Sequence, residues 1–295
     1  MRLLVPMLFL CSFAFSRQAE KLNVYISADM EGTAGVVSDD QLSPGAFEYE
    51  RFRNFMTLEV LAAVTAAKEA GATSILVSDS HGNGENLLLE QFPSDVRIIR
   101  SWPRHLGMMA GIDATFDAVL FIGYHSSTSN PAGVRAHTFS SARLTGVQLN
   151  GKEVTEGAWN AAIAGEFGVP VVFASGDDAA CAELKATLGS LETAEVKKSL
   201  GFHSANTLTP AASQALIAKT VKSALHHRKD FPPYKISAPV IMDVSFKHYR
   251  IAELLAYLNL FDRTGSHAIR YRGKNMAEVS DAMNFITSYR YDLEP

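Results

Sequence analysis

The chain has 295 residues, 47% hydrophobic and 20% charged, with a net charge of −4. This is ordinary globular composition with room for a sizeable core, and the negative balance argues against nucleic acid or an anionic membrane surface as partner. Of the two cysteines, Cys11 falls in the leader described next, so Cys181 has no internal disulfide partner and packing must carry stability.

The leader begins with Met1-Arg2, runs through an almost wholly apolar stretch over residues 3–15, and reaches small residues at Ala14 and Ser16. This pattern predicts a secretory signal peptide over residues 1–16 and an exported protein, periplasmic or secreted. The stretch is shorter than the roughly 20 apolar residues a transmembrane helix needs, so no stable membrane association is expected after cleavage. Leu10 before Cys11 is larger than lipoprotein processing prefers.

Residues 22–26 have strand composition and end in Ser27-Ala28-Asp29-Met30-Glu31-Gly32. In extended chain, residues two apart point the same way, so Asp29 and Glu31 would converge and repel unless a cation or a shared proton neutralises them. A helix is predicted over residues 47–69, with Phe55, Leu58, Ala62 and Ala66 on one face. A strand at 74–78 runs into Asp79-Ser80-His81. A short strand at 96–99 follows, and another at 118–122 ends in Gly123-Tyr124-His125. Strand, helix, strand in this order implies a parallel sheet with right-handed crossovers, and ligands of such sheets sit beyond the carboxyl ends of the strands. Three strands thus deliver metal-competent groups to the same side.

A Ser-, Asn- and Gly-rich loop over 126–133 leads to His137. Residues 144–154 alternate around Asn150-Gly151, a strong hairpin signal. Gly146 to Lys152 mimics a phosphate-binding loop, but Glu153 stands where that motif needs Ser or Thr. Glu156 opens a helix reaching residue 167 with Thr155 as N-cap, and a strand at 169–174 leads to Asp177 and Asp178, which suit helix capping. Glu195 to Lys198 reads as a short basic patch. A helix from Pro210 carries Ile217, Val221, Ala224 and Leu225 and ends at the surface histidines His226 and His227. After a linker-like Phe231-Pro232-Pro233, strands at 238–244 and 267–271 alternate with helices at 251–258 and 275–289. The expected fold is α/β: a mostly parallel central sheet flanked by helices, with a metal-binding catalytic domain over residues 21–230 and a smaller C-terminal α/β segment, 231–295, packed against it.

Asp29, Glu31, His81, His125, His137 and Glu156 form a mixed nitrogen and oxygen donor set. It suits Zn²⁺, Mn²⁺ or Co²⁺ better than Ca²⁺ or Mg²⁺, and its size allows two ions. Each member alone also has a bland reading, as a polar core histidine or a helix-start acid stabilised by the dipole. His105 and His203 lack strand-end context and read as structural or surface.

The ordered pieces Ser27-x-Asp29-x-Glu31-Gly32, Asp79-Ser80-His81, Gly123-Tyr124-His125, Ala136-His137, Val154-Thr155-Glu156 and Gly176-Asp177-Asp178 resemble the M55 family of D-aminopeptidases over roughly residues 22–290. The resemblance implies a zinc-dependent aminopeptidase acting on short peptides with an N-terminal D-residue, such as D-Ala-D-Ala, through a water activated by two zinc ions per subunit. It implies that Asp29 bridges the ions, that Glu31 and His125 complete one site and His81 and Glu156 the other, and that His137 is catalytic. It also implies a homo-oligomer, a decamer of two stacked pentamers in the family prototype. D-specificity rests on the resemblance alone. The leader departs from that cytoplasmic prototype and leaves the substrate pool open. From the residues themselves, another dinuclear hydrolase of amides or phosphoesters stays open, although Arg135 and Arg143 are the only cations near the motifs. So does a non-catalytic exported binding protein.

Overall fold

The apolar run after the leader becomes a strand, β1 (Asn23–Ala28), and the molecule is laid out around it. The structure is a computed structural model that describes residues 21–289, so the leader assigned to residues 1–16 lies outside the described residues. In chain order follow α1 (Tyr49–Glu69), β2 (Ser74–Asp79), β3 (Val96–Ile99), β4 (Ala118–Tyr124), β5 (Leu144–Leu149), β6 (Lys152–Glu153), α2 (Glu156–Glu166), β7 (Val171–Asp177) and α3 (Asp178–Leu188). Then come β8 (Glu192–Gly201), β9 (Ser204–Thr207), α4 (Pro210–His226), β10 (Val240–Phe246), α5 (Tyr249–Leu255), β11 (Asp262–Gly265), β12 (Ala268–Gly273) and α6 (Met276–Ser288). Among the described residues no helix is long and apolar enough to cross a membrane.

Seven strands form the central sheet in the order β3-β2-β1-β4-β7-β8-β9, parallel except for the β8–β9 hairpin. The chain moves outward from β1 to β2 and β3, then returns to place β4 on the other side of β1. The crevice beyond the carboxyl ends of β1 and β4 is therefore the topological switch point where α/β sheets place ligands. A second sheet, β11-β12-β10-β5-β6, is antiparallel throughout. It draws on the hairpin at 144–153 and on residues 240–273, so segments on both sides of residue 230 share it. Asn150 and Gly151 both take positive φ at that hairpin's turn, as a two-residue type I′ connection requires.

Period-two alternation along β1 divides the core. Val24 and Ile26 pack with Met56 and Val60 of α1 and with Ile217 and Val221 of α4. Tyr25 faces the opposite way, toward Phe121, Trp159 of α2, and Val147 and Val244 of the second sheet. Being covered on both faces is why these strands read as unbroken apolar runs.

Two expectations need correction. The deeply buried stripe of α1 is Phe52, Met56, Val60, Ala63 and Ala67, whereas Phe55, Leu58 and Ala62 are only partly buried. Ala66 is buried as expected. The helix packs on both the sheet and α4 and is apolar over much of its circumference, so periodicity alone selects no single face. The supposed basic patch at 195–198 lies inside the ten-residue strand β8, and Lys197 there is 2% exposed.

Candidate metal centre and cavity

The loop after β1 is laid backbone to backbone on the end of β4. Asp29 N–H donates to the Ile122 carbonyl at 2.8 Å and Gly32 N–H to the Gly123 carbonyl at 2.7 Å. A Cβ on Gly32 would fall 2.1 Å from the Tyr124 carbonyl oxygen, so no larger residue fits there. Gly123 takes φ +72°, and the β4–β7 register slips between Phe121 and Tyr124. The irregularity falls at the end of β4, and the next residue, His125, stands beside Asp29.

All six candidate residues meet at this point. His81 Nδ1 lies 2.9 Å from Glu31 Oε2 and 3.4 Å from Asp29 Oδ1. His125 Nε2 lies 3.4 Å from Asp29 Oδ2 and 3.5 Å from Glu156 Oε1. His137 Nε2 lies 3.9 Å from Glu31 Oε1 and 3.7 Å from Glu156 Oε1, and its ring stacks on that of His125 with centroids 4.1 Å apart. Asp79, by contrast, accepts from the backbone of Asn86 and Leu87 and from the Asn86 amide, which makes it a loop anchor. Asp177 caps α3, accepting from Ala180 N–H at 2.7 Å, and also accepts from Val134 N–H at 2.6 Å.

Each imidazole is tethered by its second nitrogen. His81 Nε2 donates to the Leu42 carbonyl at 2.9 Å, His125 Nδ1 to the Ser126 carbonyl at 3.1 Å, and His137 Nδ1 to the Arg135 carbonyl at 2.8 Å. Such outer contacts orient a ligating histidine and select the tautomer that leaves the inner nitrogen free. Among the carboxylates, Asp29 Oδ1 accepts from Met30 N–H and Glu156 Oε1 from Phe139 N–H. Asp29 Oδ2 and His125 Nε2 are buried without any hydrogen-bond partner, a costly state unless something else binds them.

Burial by itself would raise both Glu31 and Glu156 and lower both His81 and His125, but the charges facing one another reverse each trend. The His81, His137 and His125 imidazoles hold Glu31 well below the usual carboxylate range. His125 does the same, more mildly, for Glu156. Glu31 and Asp29 push His81 well up, and Glu156 and Asp29 push His125 well up. Asp29 is raised by burial and by the Glu31 charge. Three packed carboxylates draw positive charge onto their neighbours, and the same field favours divalent cations, whose binding would release those protons. Donor chemistry, tethered tautomers and orphaned atoms all fit a metal centre; Asp29, Glu31 and His125 offer atoms within 4.8 Å of one another, as do His125, His137 and Glu156.

The cluster opens into a cavity of about 870 Å³ whose walls include Trp102 and Met108, Trp159 and Asn160 of α2, and Met283 of α6. No lysine or arginine lines it among the described residues. Arg135 instead pairs with Asp39 and lies over the Phe202 ring, and Arg143 donates to the Thr287 carbonyl.

Lys197 was invisible to sequence reading as a site component. Its Nζ donates to the carbonyls of Glu31, Thr33 and Val36, pinning the loop that carries Glu31. Burial pulls its pKa down to about 8. Only its flanking alternation, with Ala194 and Val196 fully buried, could have signalled a strand. A buried hydroxyl chain beneath the site was equally hidden: Tyr124 O–H donates to Ser27 Oγ at 2.7 Å, and Ser27 Oγ lies 2.9 Å from Ser80 Oγ.

The peptidase M55 model, described as D-aminopeptidase, matches residues 22–285. The D-aminopeptidase of Bacillus subtilis (strain 168) is 31% identical over 273 residues, which cover 90% of this chain and 97% of that protein. Among solved structures, "Zn-dependent D-aminopeptidase DppA from Bacillus subtilis, a self-compartmentalizing protease" superposes with a TM-score of 0.87 at 30% identity, covering 92% of this chain and 100% of that one.

Proposed function

Because the chain belongs to the M55 family of D-aminopeptidases and is a metallo-aminopeptidase, we propose that it uses two zinc ions to hydrolyse short peptides with an N-terminal D-residue, D-Ala-D-Ala among them. The observation that carries this reading is Asp29, whose two oxygens face two different imidazoles, His81 at 3.4 Å and His125 at 3.4 Å, as a bridging carboxylate should. Glu31 and His125 would complete one site, and His81 and Glu156 the other. Each imidazole also stands within 3.5 Å of the carboxylate assigned to the opposite ion, His81 by Glu31 and His125 by Glu156, which keeps the donor set compact.

Zinc held there would lower the pKa of a bound water and polarise the scissile carbonyl. The chain's own residues supply the rest. His137 is the most exposed of the six, its side chain 15% accessible, and it lines the cavity. With Nδ1–H committed to the Arg135 carbonyl, its Nε2 is the nitrogen turned toward substrate. There it carries a proton toward the leaving amine or donates to charge developing on the carbonyl oxygen. No lysine or arginine among the described residues lines the walls, and a phosphoester would call for such a basic clamp.

We read the protein as exported, by the leader at residues 1–16, to a compartment where cell-wall fragments would supply D-peptides. We also read it as a homo-oligomer, such as a decamer. The relative's self-compartmentalizing character supports this, as do the exposed apolar side chains Tyr249, Leu254, Tyr257 and Leu260 on and after α5. The test is to purify the protein, measure its zinc, and assay D-Ala-D-Ala beside L-Ala-L-Ala with and without chelator. About two zinc ions per chain with chelator-sensitive cleavage of the D-peptide is the expected result. Chelator-insensitive cleavage would overturn the mechanism, and preference for the L-peptide the specificity.

A further inference from the structure

An aminopeptidase must offer an acceptor to the free α-amino group of its substrate. Among the described residues the cavity holds three carboxylates, Asp29, Glu31 and Glu156, and the zinc reading commits all three to metal. An uncharged acceptor outside that set would add selectivity for the amine, and α2 carries one. Asn160 lies four residues after Glu156, on the same helix face and one turn further along, about 6 Å down the axis. It lines the cavity, yet the residue is 1% exposed.

The orientation of its amide follows from the hydroxyl chain beneath it. The Tyr124 hydroxyl spends its single proton on Ser27 Oγ at 2.7 Å, so toward Asn160 it can only accept. Asn160 Nδ2 accordingly donates to Tyr124 Oη at 2.9 Å, and it also lies 3.2 Å from Met108 Sδ. Both contacts are on the nitrogen, which leaves Oδ1 as the free acceptor of a side chain held on two sides.

Resting on the aminopeptidase reading above, we propose that Asn160 Oδ1 receives a hydrogen bond from the substrate's α-amino group and so determines selectivity for free N-termini. A peptide amine has a pKa near 8 (about 7.7–8.0), and both its charged and neutral forms carry N–H donors. An amide oxygen accepts either without adding a fourth negative charge to the cluster. Of the other asparagines lining the cavity, Asn83 has its Oδ1 taken by Glu85 N–H at 2.9 Å, and Asn284 donates from Nδ2 to the Arg104 carbonyl and stands on α6 with its oxygen over Gly107. Neither stands on α2 with Glu156.

The experiment compares zinc-loaded wild type with Asn160→Leu, which removes the acceptor, and Asn160→Asp, which keeps one in the same shape. Each is assayed on D-alanyl and propionyl p-nitroanilides, which differ by the amine alone. Inhibition constants for D-alanine and propionate provide a readout without turnover, and zinc content and melting temperature are recorded for every variant. Losing a hydrogen bond to a charged group is expected to shrink the amine preference of Asn160→Leu about thirtyfold. The loss should appear mainly in KM and in the inhibition-constant ratio, with kcat moving less. Asn160→Asp should retain the preference. An unchanged ratio in a zinc-replete Asn160→Leu overturns the assignment, as does an equal loss in Asn160→Asp. Should the leucine variant fail to fold, Asn160→Ala replaces it with the same criteria. A wild type that binds no zinc or cleaves no D-peptide overturns the aminopeptidase reading itself, whereas cleavage with an unaltered ratio in the variants overturns only the role of Asn160.

Discussion

Asp29 Oδ2 and His125 Nε2 lie 3.4 Å apart, both buried, and neither has a hydrogen-bond partner. Two orphaned polar atoms at that separation leave one place for a cation to satisfy both. Asp29→Asn keeps the shape and removes the charge. It should cut bound zinc to one ion per chain or fewer, measured by atomic absorption, and reduce kcat/KM by at least about a hundredfold. A variant retaining two ions and full activity would exclude Asp29 as the bridge.

His137 is the most exposed of the six, its side chain 15% accessible, and it lines the cavity. His137→Ala should therefore keep near-normal zinc content while losing about a hundredfold to ten-thousandfold in kcat, the range of a general acid–base group. Zinc loss equal to that of Asp29→Asn would instead make it a ligand.

Gly32 is dictated by close backbone approach, since a Cβ would lie 2.1 Å from the Tyr124 carbonyl oxygen and 2.4 Å from the Gly123 carbonyl carbon. Gly32→Ala must push Glu31 and its neighbours off β4, at a cost of about 2 kcal/mol or more. Chemical denaturation and zinc titration should show reduced stability and weakened metal affinity together.

Glu59, buried in α1, accepts from Ala34 N–H at 3.1 Å, and burial raises its pKa from 4.5 to about 7. Below pH 4.5 it is protonated in both folded and unfolded chains. Between pH 4.5 and 7 the unfolded chain loses the proton first, so this group's stabilising contribution falls as pH rises and is gone above 7. The full change is about 3 kcal/mol. Glu59→Gln keeps the acceptor and cannot ionise. Its stability relative to wild type should increase from pH 4.5 to pH 8, as followed by denaturant unfolding at each pH; a flat difference would contradict the raised pKa.

Legibility in the sequence followed locality. The ends of β1, β2 and β4 were readable because an unbroken apolar run stops at an acid or histidine, and burial on both sheet faces writes that pattern directly into the chain. Thr155 capping α2, accepting from Ala158 N–H at 2.9 Å, was readable for the same reason, a contact spanning three residues. The inward face of α1 was not, because α4 covers a second side of it. Lys197 was not, because its three carbonyl partners lie more than 160 positions earlier in the chain.

The sequence by itself determined the α/β class, the strand ends that carry Asp29, Glu31, His81 and His125, and, through ordered motifs, the family. These are properties of short segments and their succession. Only the tertiary structure decided the rest: which nitrogen of each histidine faces inward, which acid anchors a loop instead of facing the cluster, where the second sheet gathers its strands, and that Asn160 lines the cavity. Those outcomes depend on carbonyls, hydroxyls and glycine contacts brought together by sheet pairing between distant segments. Pairing over such separations is set by the packing of the whole core, and no local window of residues encodes it.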